Sequence, residues 1–248
     1  MQNITLSNCI NPYFKTLMIG LISIALIPLH IDATEIEEII VKGSYREISL
    51  EKNDGSLFVL NEEQLKAEPI KHLEQLSFLI PNLNFALSDG RPRYFQIRGI
   101  GEQSGYEGTP NSSVGLMIDD IDFSGQGGIS SSFDMEQIEV HRGPQGSRMG
   151  ANALAGMIYM RSKDPTEVFS GLSELMVGSD GIRSTGLAFG GPFEDNPDAQ
   201  YRISIRQDKS DGFRENSYLN RDDTTGKDEL TARFKLNYQL NESTDLKL

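Results

Sequence analysis

The chain has 248 residues, enough for one large domain or two modest ones with a sizeable core. Its formal charge of −13 argues against nucleic acid as a partner, because counterion release needs clustered lysine and arginine. The only cysteine, Cys9, excludes a disulfide within the chain, so stability has to come from packing.

In chain order, residues 1–33 read as an export signal. Lys15 precedes the apolar run Leu17 to Ile27, and a polar exit ends at the small residue Ala33. Those eleven residues are too few to cross a bilayer as a helix, the alternatives being a buried core helix or a retained anchor. Cys9 would leave with such a signal. The next segment, Ile36, Glu37, Glu38, Ile39, Ile40 and Val41, is short, rich in isoleucine and valine, and acidic at its start. It can add to another protein's sheet edge through main-chain hydrogen bonds, or serve as a plain first strand of the domain after it.

Residues 45–165 alternate short strand and helix signals. Leu57 to Leu60 read as a strand, after which Asn61 caps a helix with Gln64 at the capping-box position and Pro69 as the stop. Ile70, Leu73, Leu76 and Ile80 fall near one face of a second helix. Tyr94 to Gly99, Val114 to Phe123 and Ile138 to Gly143 each read as one strand. The segments between them, Glu102 to Ser113 and Ser124 to Ser132, are polar, glycine-containing loops. In "RGPQGSRMGANALAGMIYM", Pro144 ends the strand from Ile138 and holds Gly143 extended. The following stretch is too rich in glycine for a helix. Gly146 and Gly150 are expected at positive φ, and Ala151, Ala153, Ala155 and Gly156 leave room for backbone to lie against backbone.

Residues 166–248 read as strands alone. Ala232, Phe234, Leu236, Tyr238 and Leu240 share one face of a strand, while Thr231, Arg233, Lys235, Asn237 and Gln239 share the other. Tyr201, Ile203 and Ile205 repeat the pattern, and Gly171 to Ser179, Ser184 to Phe193 and Thr244 to Leu248 supply further strands. One greasy and one wet face over about ten residues suits a strand that crosses a membrane at a tilt, or an ordinary β-sandwich. Export without disulfides favours the membrane.

Four stretches, in order, resemble the motifs of TonB-dependent outer-membrane receptors: "IEEIIVKGS" the TonB box, "QIRGIG" and "VGLMIDDIDF" the earlier plug motifs, and "IEVHRGPQGSRMGANALAGMIYM" the end of the plug. Met149 departs from the family's usual aromatic, and Ala155 and Asp120 from its usual glycines. The resemblance implies a TonB box within residues 34–44, an α+β plug domain over 45–165, and the first four or five antiparallel transmembrane strands of an outer-membrane β-barrel over 166–248. It also implies a receptor that takes up a scarce solute, such as a ferric siderophore or cobalamin, with energy relayed by TonB and its inner-membrane partners. No cofactor and no catalytic residue follow from it. Ile36 to Val41 would bind TonB. Arg98 and Arg142, each beside a glycine at a strand end, would reach carboxylates of the barrel wall or bond within the plug. Gln103, Tyr106 and Gln126, on the two polar loops, would touch solute.

Rival readings are weaker. "GIGEQSG" and "GPQGSRMG" match neither a dinucleotide fingerprint nor a P-loop, no G-x-S-x-G occurs, and the three histidines lie far apart. An enzyme is not expected. A periplasmic adaptor using the plug-like half alone would lack membrane-length alternating strands, and at least two are present. Bacterial barrels close with about eight strands or more, so the sequence is expected to be the amino-terminal part of a receptor or the product of an interrupted gene.

Overall fold

A computed structural model of the chain describes residues 39–43, 48–67, 72–88, 91–104, 111–126, 131–241 and 243–248. The expected export signal, Ile36 to Glu38, Ile70 and Tyr106 lie outside these residues. Ile39–Leu248 packs as one unit.

Two short strands, β1 (Ile40–Val41) and β2 (Ile48–Ser49), pair antiparallel ahead of β3 (Leu57–Asn61). At the end of β3 the expected capping box forms: Gln64 N donates to Asn61 Oδ1 at 3.0 Å, and Asn61 N donates to Gln64 Oε1 at 3.1 Å. These bonds satisfy donors that the first helical turn leaves free, and the helix runs Glu62–Ala67. The second helix is tighter than expected. A 3₁₀ turn, Leu73–Gln75, passes into a single α turn, Leu76–Leu79, and buries Leu73, Leu76 and Ile80. A hairpin of β4 (Leu83–Ser88) and β5 (Arg91–Ile97) follows.

The plug's main sheet contains β6 (Val114–Ile118), β7 (Ile121–Asp122), β8 (Met135–Arg142) and β9 (Gly156–Ser162), in the order β3-β8-β9-β6-β7. Only β6 and β9 run parallel. Ile138 and Val140 of β8 join Ile158 and Met160 of β9, Leu116 and the helical Leu73 and Leu76 in one apolar core. Their alternate neighbours Met157 and Tyr159 join Met117 and Ala153 in a second. Both faces of the sheet centre are thus covered, so β6 and β9 read as almost continuous apolar runs, whereas β8 alternates and buries Gln137, Glu139 and His141 on one face.

Two expectations are corrected. Val114 to Phe123 is not one strand but the β6–β7 hairpin, turned by Asp119 and Asp120 at φ 50° and 68°. Two consecutive left-handed residues make a type I′ turn, which suits the twist of flanking strands. Asp119 is held there by accepting from Ser162 N at 2.9 Å and Ser162 Oγ at 2.6 Å. The glycine-rich stretch is not wholly non-helical either: Gly146–Met149 forms one helical turn. Gly150 then takes φ 62°, as expected, whereas Gly146 is not among the positive-φ residues. At Gly156 a Cβ would lie 2.3 Å from the His141 carbonyl oxygen, so this strand start requires glycine.

The remaining strands, β10 (Ser170–Val177), β11 (Arg183–Phe193), β12 (Asn196–Asn216), β13 (Arg221–Asn241) and β14 (Thr244–Lys247), form an antiparallel meander in sequence order. With 21 residues each, β12 and β13 are about 70 Å long, well beyond a hydrocarbon core of about 30 Å. Their polarity separates a membrane sheet from a soluble sandwich. Ser184, Arg202, Ser204 and Arg206 are buried against the plug, while Leu175, Val177, Leu187, Ile205, Phe234 and Leu240 are exposed. A soluble sandwich buries the opposite set. Apolar-out, polar-in alternation is the pattern of an outer-membrane barrel. Beside the β11–β12 turn, Phe189 and Phe193 flank Tyr201 with ring centroids 6.5 and 4.9 Å away, an aromatic cluster like those at membrane interfaces.

Candidate functional site

The surface between plug and meander is built on charge. Each barrel strand alternates, so its wet-face cations come two or four residues apart and point together at the plug. Arg202 on β12 forms a two-pronged pair with Asp134, its Nε donating to Oδ2 at 2.8 Å and its Nη2 to Oδ1 at 2.5 Å. Both side chains are almost wholly buried. Arg206, two repeats of the alternation further, places its guanidinium 5.3 Å from the centre of the Phe133 ring and pairs with Glu174 and Asp208. On β13, Arg233 donates to the Phe133 carbonyl. Lys235 Nζ reaches Asp119 at 2.9 Å, Asp164 at 3.1 Å and the Ser162 carbonyl at 2.8 Å. Farther along β13, Lys227 Nζ meets Glu74 at 2.8 Å. Gly186 admits the Phe133 ring, which a Cβ there would meet at 2.6 Å.

Asp164 ends the plug and is half-buried. Burial opposes its charge, but Lys235 and Arg161 outweigh burial and hold the carboxyl below its ordinary value of 3.8. In the plug, burial and then the nearby Asp120 push the Tyr159 phenol up to about 12. It therefore stays a neutral donor to Asp120, at 3.2 Å.

The amino-terminal strap, residues 39–43, lies against the other side of β8. Leu50 N donates to the Ile39 carbonyl at 2.9 Å, Gln137 Nε2 donates to the Ile40 carbonyl at 2.9 Å, and Val41 is fully buried. The later half of the Ile36–Val41 segment is thus folded into the plug, and Ile40 and Val41 serve as a short strand.

Among the described residues neither Arg98 nor Arg142 forms an ion pair with the meander. Arg98 sits exposed in a turn at φ 54°. Arg142 ends β8 with its Nε buried and without a hydrogen-bond partner. Gln103 and Gln126 are exposed at the starts of the two polar loops. The first loop is closed at its base by Glu102, which accepts from Ser113 N at 2.8 Å and Ser113 Oγ at 2.7 Å. The second is tied by Arg93 Nε donating to the Gly125 carbonyl at 3.0 Å. Sequence reasoning missed Asp134, Arg202, Lys235, Glu74, Lys227 and Glu102. The row of cations on the wet faces of successive strands was the available signal for half of them.

An α+β plug carried by ion pairs on the polar face of an apolar-outward meander defines the plug-and-barrel fold of outer-membrane receptors. Comparison with known proteins makes this specific. Residues 49–157 match the family described as TonB-dependent Receptor Plug Domain. It is 28% identical over 116 residues to the vitamin B12 transporter BtuB of Vibrio vulnificus (strain YJ016), a match over 47% of this chain and 19% of that protein. The ferric yersiniabactin uptake receptor FyuA from Yersinia pestis superposes with a TM-score of 0.65 at 24% identity, over 75% of this chain and 29% of that one. The ferripyoverdine receptor of the outer membrane of Pseudomonas aeruginosa gives a TM-score of 0.66 at 18% identity, over 84% and 26%. The chain spans a fifth to a third of these relatives.

Proposed function

We propose that the chain is the plug and first barrel strands of a TonB-dependent outer-membrane transporter, which takes up a scarce solute such as a ferric siderophore or cobalamin. The observation that carries this reading is the plug seated on the wet face of a sheet whose apolar face points outward. An adaptor made of the plug alone would have no use for such a sheet. TonB takes hold of Ile36 to Val41 by strand addition, which the segment's short β-branched pattern supports. Solute is met by Gln103, Tyr106 and Gln126 on the polar loops, a reading supported by the exposure of Gln103 and Gln126. Arg142 reaches a carboxylate of the barrel wall. Its buried, unpartnered Nε supports that role, since such a group costs about 1–3 kcal/mol if left unpaired. Arg98 is assigned to the wall alongside it, from its exposed position beside Gly99.

The test is deletion of Ile36 to Val41 in the full-length receptor, scored for binding and accumulation of labelled ferric siderophores and cobalamin by a receptor-deficient host. Binding of one solute should persist while its accumulation falls to the level of a strain lacking TonB. Accumulation that survives the deletion would remove the TonB assignment.

A further inference from the structure

On β8, Ile138 and Val140 face the apolar core while Gln137, Glu139 and His141 share the opposite face, where Glu139 has no exposed surface. A buried carboxylate is expensive unless donors surround it, and four groups donate to this one. Lys42 N donates at 2.6 Å and Gly43 N at 3.0 Å, both from the strap, while Gln137 Nε2 and His141 Nε2 lie at 2.8 and 2.7 Å. Two of the four donors are therefore main-chain groups of the segment directly after Ile36 to Val41. Gly43 fits because it lacks a side chain: a Cβ would come within 2.6 Å of His141 Nε2 and 2.7 Å of Glu139 Oε2. Around this centre, Lys42 Nζ pairs with Glu136, and Tyr159 closes the floor.

We infer that Glu139 is the catch of a release latch: its carboxylate clasps the strap at Lys42 and Gly43 and keeps β1 folded away until the segment is pulled. This rests on the reading of Ile36 to Val41 as the handle for TonB. Gln137 and His141 hold the carboxylate in place, so the catch is formed before the strap arrives and can close again after it leaves. When the strap withdraws, water reaches the carboxylate and replaces its two lost donors. The latch is therefore a two-state element with both states satisfied. Glu139 is a positioning residue that touches neither solute nor TonB.

Val41, fully buried when the latch is closed, is the natural reporter. The measurement is the rate at which a polar maleimide labels V41C in the full-length receptor, in outer membranes from cells lacking TonB and without solute, against the same protein without the added thiol. Glu139→Gln removes the charge and turns an amide donor toward the strap, so labelling should accelerate tenfold or more. Gly43→Ala, which leaves the carboxylate intact, should accelerate it comparably by pushing the strap out. Should Glu139→Gln fail to reach the membrane as heat-modifiable protein, Gly43→Ala decides. Unchanged labelling in the variants that do fold would overturn the latch. Cross-linking of a thiol at Glu37 to TonB in TonB-containing cells separates the two ideas. Faster labelling without any cross-link would keep the latch and sink the TonB reading, and a cross-link with unchanged labelling would do the reverse.

Discussion

Neutralising one member of the Arg202–Asp134 pair should unseat the plug, whereas neutralising both should largely restore it. Both side chains are nearly inaccessible to water, and two charge-assisted bonds of 2.8 and 2.5 Å join them. Breaking a buried pair from one side leaves an uncompensated charge, at a cost of about 3–5 kcal/mol. Asp134→Asn is the suitable change on the plug side, because residue 134 sits at φ 58°, which asparagine tolerates and most residues do not. Arg202→Gln is its counterpart on β12, and the double variant leaves two neutral amides within reach of each other. The assay is a double-mutant cycle on the full-length receptor in detergent, with plug release followed by protease cleavage across a urea series. Each single change should lower stability by about 3–5 kcal/mol, and the coupling between them should exceed about 2 kcal/mol. Singles that add to the double within about 0.5 kcal/mol would refute the reasoning. The pair would then be screened like an exposed one, and the seat would depend on packing.

Alanine at Gln103, Tyr106 and Gln126 together should weaken solute binding without lowering receptor abundance, by about 0.5–1.5 kcal/mol per lost hydrogen bond. Equal affinity in an equilibrium binding assay would return these loops to solvation. Seating through Asp164 should follow its depressed pKa. Its contribution is fully present above the unfolded value of 3.8 and is lost as pH falls through the lower folded value. Protease resistance at the plug's end should therefore be flat from pH 8 to 5 and fail only below 3.8, and a loss near pH 6 would point to another group. Residues 34–248 expressed alone behind an export signal should not integrate into the outer membrane. The sheet has open edges at β10 and β14, and each unpaired backbone group in hydrocarbon costs several kcal/mol. Heat-modifiable, carbonate-resistant protein would contradict this.

Much of the fold was legible where the signal was local. The capping box at Asn61 and Gln64 needs only three residues of spacing, and the alternation at Ala232 to Leu240 needs one strand. The β6–β7 turn was missed because aspartates stand where glycine would have announced positive φ. Asp119 is stabilised there by Ser162, which is distant in sequence. The seat was missed for a related reason. Sequence reading offered Arg98 and Arg142 on the plug either as partners of barrel carboxylates or as hydrogen-bond donors within the plug. The lysine and arginine pairs observed between plug and strands run the other way, with Arg202, Lys227 and Lys235 on the strands and Asp134, Glu74, Asp119 and Asp164 on the plug, while His72 of the plug faces Glu229 of β13 at 3.6 Å. Alternation shows that a cation faces inward, but which carboxylate it meets depends on how two domains dock.

The arrangement of these bonds decides what yields when the amino terminus is pulled. The strap is held by a two-residue strand, one side-chain amide bond from Gln137, one backbone bond from Leu50, the Lys42–Glu136 ion pair and the two backbone donors to Glu139. It lies on the amino-terminal side of the plug, so tension applied from that side meets these bonds one after another. Each is worth about 0.5–1.5 kcal/mol, or about 1.5–3 where the charged oxygen accepts. The seat is different in kind. Its pairs join residues from Glu74 to Asp164 to two neighbouring strands, so a pull on the plug loads several of them together. The Arg202–Asp134 pair alone resists by about 3–5 kcal/mol. Sequential weak bonds fail before parallel strong ones, so the strap leaves while the plug remains seated. Glu139 sets the first threshold, and Arg202 with Lys235 sets the second. A chain built this way can expose its handle without surrendering the plug.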